Sequence, residues 1–282
     1  MMAVLQLPRP TWFVGCGNMG GAVLEGWRSG GLDLGPVTVI RPSGTPVEGV
    51  RTIANVRDAG QPPELLVLAI KPQKLDEVAP QLRPFLSART VLVSLLAGVE
   101  TASLRQRFPG VGTVVRAMPN LPVAIRRGVT GLYSADAATA VREQANNLFS
   151  ALGFAIWMND EGKLAVLGSV AGAGPAYVAR FIAALAKAGE KRGLSEEIAA
   201  IIARETVLGT AWMSAMKNED MASIAKRVAS PKGTTEAGLA VLDYDQVLDQ
   251  LIGATIDAAA RRGAELAADA RASQVDSGAP VP

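Results

Sequence analysis

A short apolar run, Trp12-Phe13-Val14, passes directly into Gly15-Cys16-Gly17-Asn18-Met19-Gly20, and Met19, Val23 and Trp27 then recur at helical spacing through Ala22 to Arg28. A G-x-G-x-x-G string set between a strand and a helix constrains the chain more than any other feature it has. The first glycine permits a tight turn, the second lets the backbone approach a pyrophosphate, and the third lets helix and strand pack closely. Unpaired amides at the helix start then face the phosphates, so Gly15, Gly17, Asn18, Met19 and Gly20 are expected to contact a dinucleotide. The same string without that context would be no more than a turn.

The rest of the first half has the pattern that such a start requires. Thr11 to Val14, Val37 to Ile40, Leu65 to Ile70, Thr90 to Leu95, Thr113 to Arg116 and Gly128 to Tyr133 are apolar, β-branched runs separated by amphipathic stretches. Continuous apolar strands alternating with helices indicate an α/β fold with a doubly wound parallel sheet covered on both faces. A helix over Asp136 to Leu152 and a strand over Phe154 to Met158 complete a first domain at residues 1–159. Beyond it the pattern is helical: Leu164 to Val170, Pro175 to Lys191, Glu196 to Lys217, Met221 to Val228 and Tyr244 to Ala268. Phe181, Leu185 and Ala188, or Leu248, Ile252 and Ile256, share helix faces there. An all-helical second domain is expected over 160–270, with a disordered tail over 271–282, where Ser273 to Pro282 lack periodicity.

The second strand bears on which dinucleotide is bound. An NAD enzyme places an acidic residue at its end to hold the ribose hydroxyls. Here Val37 to Ile40 runs into Arg41-Pro42-Ser43-Gly44, so Arg41 can clamp a 2′-phosphate and Ser43 can donate to it, which favours NADP. The plain alternative is that Arg41 is a solvated surface residue. Two further strand ends lead to the same crevice: Ala69-Ile70 into Lys71-Pro72-Gln73, and Leu95-Leu96 into Ala97-Gly98, whose small side chains leave room for a nicotinamide ribose. Lys71 also reads as an ordinary surface lysine.

Composition excludes several chemistries. The chain has no histidine and a single cysteine, Cys16, so no internal disulfide, Ser-His-Asp or Cys-His system is possible, and no metal site is expected. A net charge of +2 with dispersed Lys and Arg argues against nucleic acid as a partner. No run approaches the ~20 uninterrupted apolar residues of a spanning helix, and Met1 to Pro10 lacks a signal-peptide pattern, so no membrane association and a cytoplasmic location are expected.

Five segments, Gly15 to Gly20, Leu68 to Gln73, Arg116-Ala117-Met118-Pro119-Asn120-Leu121-Pro122, Ala171-Gly172-Ala173-Gly174-Pro175-Ala176-Tyr177 and Ala229 to Leu239 (ASPKGTTEAGL), together resemble the pyrroline-5-carboxylate reductase family in order and spacing over residues 11 to about 268. The resemblance implies a Rossmann domain followed by a helical dimerisation domain that interlocks with a second subunit's, so that each active site draws on two chains. It implies NADPH as cofactor, with Asn55, Ala69, Lys71, Pro72, Ala97, Gly98 and Asn120 joining the glycine loop and Arg41 and Ser43 at its site. It further implies that the loop from Ser230 to Thr235 binds a cyclic imine acid, through Ser230, Gly233, Thr234 and backbone amides for its carboxylate, and Thr235 near its ring nitrogen. A hydroxyl- and glycine-bearing loop at a helix start suits an anion physically, although Ser230 or Thr234 as a simple helix cap explains the same residues. Three departures fall in the substrate half: alanines at 171 and 173 where the family usually has serines, Lys232 where it usually has glycine, and Ala165 and Gly168 where it commonly has Asp and Thr.

A protonated cyclic imine is already a good hydride acceptor, so positioning and charge neutralisation suffice and no histidine is needed. The expected activity is NADPH-dependent reduction of 1-pyrroline-5-carboxylate to L-proline, with Thr235 as the catalytic contact. Glu161 is a further polar partner for the substrate, or an acid placed only to suit a helix dipole. The competing expectations are a reductase of a related cyclic imine or keto acid, and a non-catalytic NADP-binding sensor.

Overall fold

The computed structural model describes residues 5–272. Eight strands, β1 (Thr11–Val14), β2 (Val37–Ile40), β3 (Arg51–Ile53), β4 (Leu65–Leu68), β5 (Val91–Ser94), β6 (Thr113–Pro119), β7 (Gly128–Tyr133) and β8 (Gly153–Trp157), form one sheet in the order β3-β2-β1-β4-β5-β6-β7-β8. Helices α1 (Asn18–Ser29), α2 (Leu75–Leu82), α3 (Thr101–Arg107) and α4 (Thr139–Ser150) connect strands of this sheet. Strand residues alternate between two cores. Phe13, Val39, Val67, Val93 and Val115 pack with Trp27 of α1 and Phe149 of α4 on one side. Trp12, Val14, Leu66, Leu68 and Leu92 pack with Leu75 and Leu82 of α2 and Leu104 of α3 on the other. Burial on both faces is why these strands read as unbroken apolar runs.

The expected all-parallel sheet changes after β6. β7 pairs antiparallel with β6, and β8 is parallel to β7, so the last two strands run against the first six. The cause is the β6–β7 connection, which holds only a short 3-10 segment, Leu121–Ile125; a parallel crossover needs roughly a dozen residues or more. The sequence pattern does not show β3, whose three residues are too few to reveal a period, and the apolar run from Leu65 extends to Ile70, whereas β4 ends at Leu68.

The later helices are α5 (Glu161–Leu167), α6 (Gly174–Glu190), α7 (Glu196–Lys217), α8 (Met221–Val228), α9 (Thr234–Leu242) and α10 (Val247–Ala272), with a π-helical turn, Gly168–Gly172, between α5 and α6. Side-chain caps fix three starts. Asp160 accepts from the Lys163 amide at 3.0 Å, Ser195 from the Ile198 amide at 3.4 Å, and Asp220 from the Ser223 amide at 2.9 Å. Contacts divide the chain differently from a 159/160 boundary: one compact unit runs to Ala173 and takes up the chain again from Ala259, and the other is Gly174–Ala258. The first unit therefore includes α5, the π turn and the end of α10, whose Ala270 packs on the second core. Arg271 and Ala272 continue α10, while the tail expected over Ser273 to Pro282 lies outside the described residues.

In the second unit α6 and α7 pack through small residues, with Ala186, Ala199 and Ala203 buried around Ile182. Many of its large apolar side chains, among them Phe181, Leu185, Ile198, Ile202 and Trp212, are exposed. By length and composition the helical stretch Glu161–Glu190, with an 18-residue window of mean hydropathy 1.3, is apolar enough to cross a membrane. Pro175, Arg180 and Lys187 lie within it, so it holds no run of ~20 uninterrupted apolar residues.

Candidate functional site

Within the first unit the residues expected to contact a dinucleotide follow the carboxyl ends of the parallel strands, with the glycine loop after β1, Arg41 and Ser43 after β2, and Ala69, Lys71 and Pro72 after β4. The sheet order puts β2 and β4 on opposite sides of β1, so their connections leave in opposite directions and open a crevice between them. Gly15 donates its amide to Ile40 O at 2.9 Å, and the Ala69 amide donates to Val14 O at 2.8 Å, which ties the loop to both neighbouring strands.

Each glycine of the loop has a separate reason to be one. Gly15 has φ +82°, and a Cβ on it would stand 2.7 Å from Ala69 O, so backbone conformation and space both exclude a side chain. A Cβ on Gly20 would lie 3.0 Å from the Ala69 Cβ and 3.0 Å from Phe13, which is the close helix packing required of the third glycine. A Cβ on Gly17 would meet nothing within 4 Å. Nothing inside the protein demands glycine there, and the open space in front of it suits a group brought from outside. Gly17 precedes α1, no side chain caps that helix, and its first turn holds no acid, so the amides around Asn18 and Met19 keep their positive end free.

Arg41 follows β2, with its amide bonded to Ile53 O at 3.0 Å, and has no carboxylate partner among the described residues. Burial pushes the Cys16 thiol up from its usual range, and the Arg41 charge partly offsets this, so Arg41 acts electrostatically on the glycine loop. Ser43 is exposed, and its hydroxyl accepts from the Thr45 amide and hydroxyl at 3.3 and 2.9 Å, leaving its own proton to donate. A guanidinium and a hydroxyl thus occupy the position that an acid would hold in an NAD site. Asn55, exposed after β3, accepts from the Arg57 amide at 2.9 Å through its carbonyl oxygen, leaving the NH2 group outward. Lys71 is exposed beyond β4, without an ion-pair partner among the described residues, and Pro72 opens a 3-10 turn. Ala97 is exposed.

Three expected contacts take on structural work. A Cβ on Gly98, φ +73°, would lie 3.2 Å from the Leu266 Cβ, so its smallness admits the approach of α10. Asn120 is buried; its carbonyl accepts from the Val129 amide at 2.8 Å and its NH2 donates to Ala171 O at 3.0 Å. It braces the π turn, and a π turn interrupting a helix is a frequent mark of a functional site. Glu161 Oε1 accepts from Arg116 at 2.8 Å, from the Thr101 amide at 2.8 Å and from the Thr101 hydroxyl at 2.9 Å. With three donors on one oxygen, Glu161 clamps β6, α3 and α5 together, a role that spacing did not reveal because its partners lie 45 and 60 residues away.

The second unit holds the other predicted cluster. Thr234 and Thr235 are the first residues of α9, a helix missing from the sequence reading, with Gly233 before it and no side-chain cap. The Gly233 amide donates to Ser230 O at 2.9 Å, and a Cβ on Gly233 would stand 2.3 Å from Ser230 Oγ, so Gly233 makes room for that hydroxyl. The Lys232 amide donates to Glu236 at 2.7 Å. Amides at the start of α9, with the hydroxyls of Ser230, Thr234 and Thr235, therefore remain for an anion. Lys232 itself has φ +57°, the left-handed conformation that glycine adopts without strain.

Comparison with known proteins agrees over both units. Residues 161–266 match the family model described as pyrroline-5-carboxylate reductase dimerisation, and residues 12–98 match that described as NADP oxidoreductase coenzyme F420-dependent. The pyrroline-5-carboxylate reductase of Pseudomonas aeruginosa is 36% identical over 265 residues, 90% of this chain and 96% of its own length. The structure of a pyrroline-5-carboxylate reductase from Coxiella burnetii superposes with TM-score 0.83 at 29% identity, covering 92% of this chain and 99% of that one. That of the Plasmodium falciparum pyrroline carboxylate reductase, solved with NADP bound, has the same fold, with TM-score 0.82 at 22% identity over 92% of this chain and 98% of that one.

Proposed function

The chain belongs to the pyrroline-5-carboxylate reductase family, and from that premise we propose that it reduces 1-pyrroline-5-carboxylate to L-proline with NADPH. The observation that supports the reading within this chain is the glycine loop: a side chain on Gly15 or Gly20 would collide with Ala69 and its neighbours, whereas Gly17 faces open space that leaves a phosphate room to approach.

NADPH supplies the hydride, and the protein's own residues bind and orient. Amides at the start of α1 neutralise the pyrophosphate. Arg41 and Ser43 hold the 2′-phosphate and so set the preference for NADP over NAD. Asn55, Lys71, Pro72 and Ala97 border the same crevice and line the cofactor's path. The start of α9 takes the substrate carboxylate through Ser230, the Thr234 hydroxyl and free backbone amides, with Gly233 giving Ser230 its place. Thr235 bonds the ring nitrogen, accepting from the iminium N–H and keeping that nitrogen protonated while its carbon is reduced. The C=N π pair passes to nitrogen, leaving a secondary amine, so no side chain has to be a strong base. A chain without histidine can do this.

Self-association follows from the family's dimerisation region and from the apolar side chains that the second unit leaves exposed. We assign the helical region the interlocked dimer, with each active site completed by a second copy.

The test is the initial rate of NADPH oxidation with 1-pyrroline-5-carboxylate, with proline measured as product, beside six-membered imine analogues. Proline formed in step with NADPH consumed is the expected result; turnover of an analogue alone would overturn the substrate. Arg41→Asp is expected to reverse the NADPH preference, and a variant that kept it would remove Arg41 from the 2′-phosphate site.

A further inference from the structure

The two edges of the sheet differ in a way that calls for a covering partner on one side only. β3, at one edge, has three residues, and the exposed Arg51 opens it. A short edge strand with a charge is self-protecting, because it offers little backbone for pairing and resists desolvation. β8, at the other edge, has five residues, Gly-Phe-Ala-Ile-Trp, with neither a charge nor a proline. Phe154 is 62% and Ile156 37% exposed.

The same side of the sheet is only partly covered. Ile156 stands opposite Gly131 in the β7–β8 register, and a Cβ on Gly131 would lie 2.7 Å from Leu164 and 3.0 Å from Leu167. α5 therefore lies over β7, where the glycine admits it, and leaves β8 bare. Val166 in α5 and Val170 in the π turn, one helical turn apart, are exposed as well. The region matched by the dimerisation model begins at Glu161, the first residue of α5, so the uncovered strand borders that region.

We infer that Phe154 and Ile156 of β8 form the Rossmann-domain part of the homodimer interface, a surface continuous with the dimerisation region and covered by a second copy of this chain. The inference rests on the self-association proposed above and extends it to a strand outside residues 161–266. Burial of two large apolar side chains gives the contact energy, and the covering copy does for β8 what Arg51 and shortness do for β3.

Sedimentation equilibrium of the wild-type full chain comes first: a protein monomeric at every concentration would overturn the self-association reading and this inference with it. With the wild type dimeric, the variant Phe154→Lys/Ile156→Lys is expected to weaken dimerisation about tenfold or more, while NADPH affinity stays within about twofold. A dissociation constant within about twofold of wild type would overturn the inference alone. Hydrogen exchange on unmodified protein decides the matter even where the variant fails to bind NADPH: amides of 153–157 are expected to exchange faster below the dimer dissociation constant than above it. Exchange there that is independent of concentration would overturn the assignment.

Discussion

Removing the Glu161 carboxylate should cost stability before it costs catalysis. The Arg116 side chain is 5% exposed and that of Glu161 26%. Glu161→Ala strands a buried guanidinium and at the same time frees the Thr101 amide, the first of α3, from its acceptor. Loss of one partner of a buried ion pair destabilises by roughly 3–5 kcal/mol, and the partial exposure of Glu161 lets water reach the orphaned charge, so we expect about 3 kcal/mol. Glu161→Gln keeps an acceptor oxygen but loses the charge, for which about 1–2 kcal/mol is expected. The double replacement Glu161→Leu with Arg116→Met removes both charges and should return to within about 1 kcal/mol of wild type, because no charge is then left buried. Urea unfolding followed by circular dichroism reads the series; with a slope of ~3 kcal/mol per M, Glu161→Ala should lower the midpoint by about 1 M. The clamp role also predicts that Glu161→Gln keeps the wild-type KM for the imine. A Glu161→Ala protein unfolding at the wild-type midpoint with a raised KM would refute the argument, since that is how a substrate contact behaves.

Gly15→Ala and Gly17→Ala should separate folding from binding. The first meets Ala69 O at positive φ and should lose about 2 kcal/mol or more by urea unfolding, whereas the second should unfold like wild type yet bind NADPH about tenfold more weakly or worse, and an unchanged affinity would remove Gly17 from the phosphate site. Lys232→Gly should stabilise the protein by ~1 kcal/mol through relief of the left-handed conformation, and Lys232→Ala should not; equal effects of the two in thermal unfolding would point to the side chain instead. The Cys16 thiol is pushed up in the folded protein, so above the ordinary thiol range the unfolded chain has lost a proton that the folded one keeps. Stability should therefore fall as pH rises through that window, and Cys16→Ser should flatten the fall measured by urea midpoints at pH 8 and above.

What could be read from the sequence was whatever has a local cause. The glycine loop is legible because strand, turn and helix adjoin within twenty residues, and Gly15 and Gly20 stand where the tight turn and the close helix packing leave no room for a side chain. The starts of α7 and α8 are legible because Ser195 and Asp220 cap them on the spot. The reversal of β7 and β8 is not in their composition, since an apolar strand buried on both faces looks the same in either direction. Its trace is the brevity of the connection from Asn120 to Arg127, a signal of length rather than of residue type. Glu161, Asn120 and Gly98 share a different limit: each has the chemistry of a ligand contact, and each also meets a partner far along the chain that local spacing does not show. Lys232 is the opposite case. Its side chain invites a reading as a cation for the substrate, while its backbone sits where glycine fits best and its amide is held by Glu236. The family's usual glycine at that position is thus explained by conformation alone. With a lysine in that conformation, the loop before α9 is held by Glu236 on the Lys232 amide and by the Gly233 amide on Ser230 O.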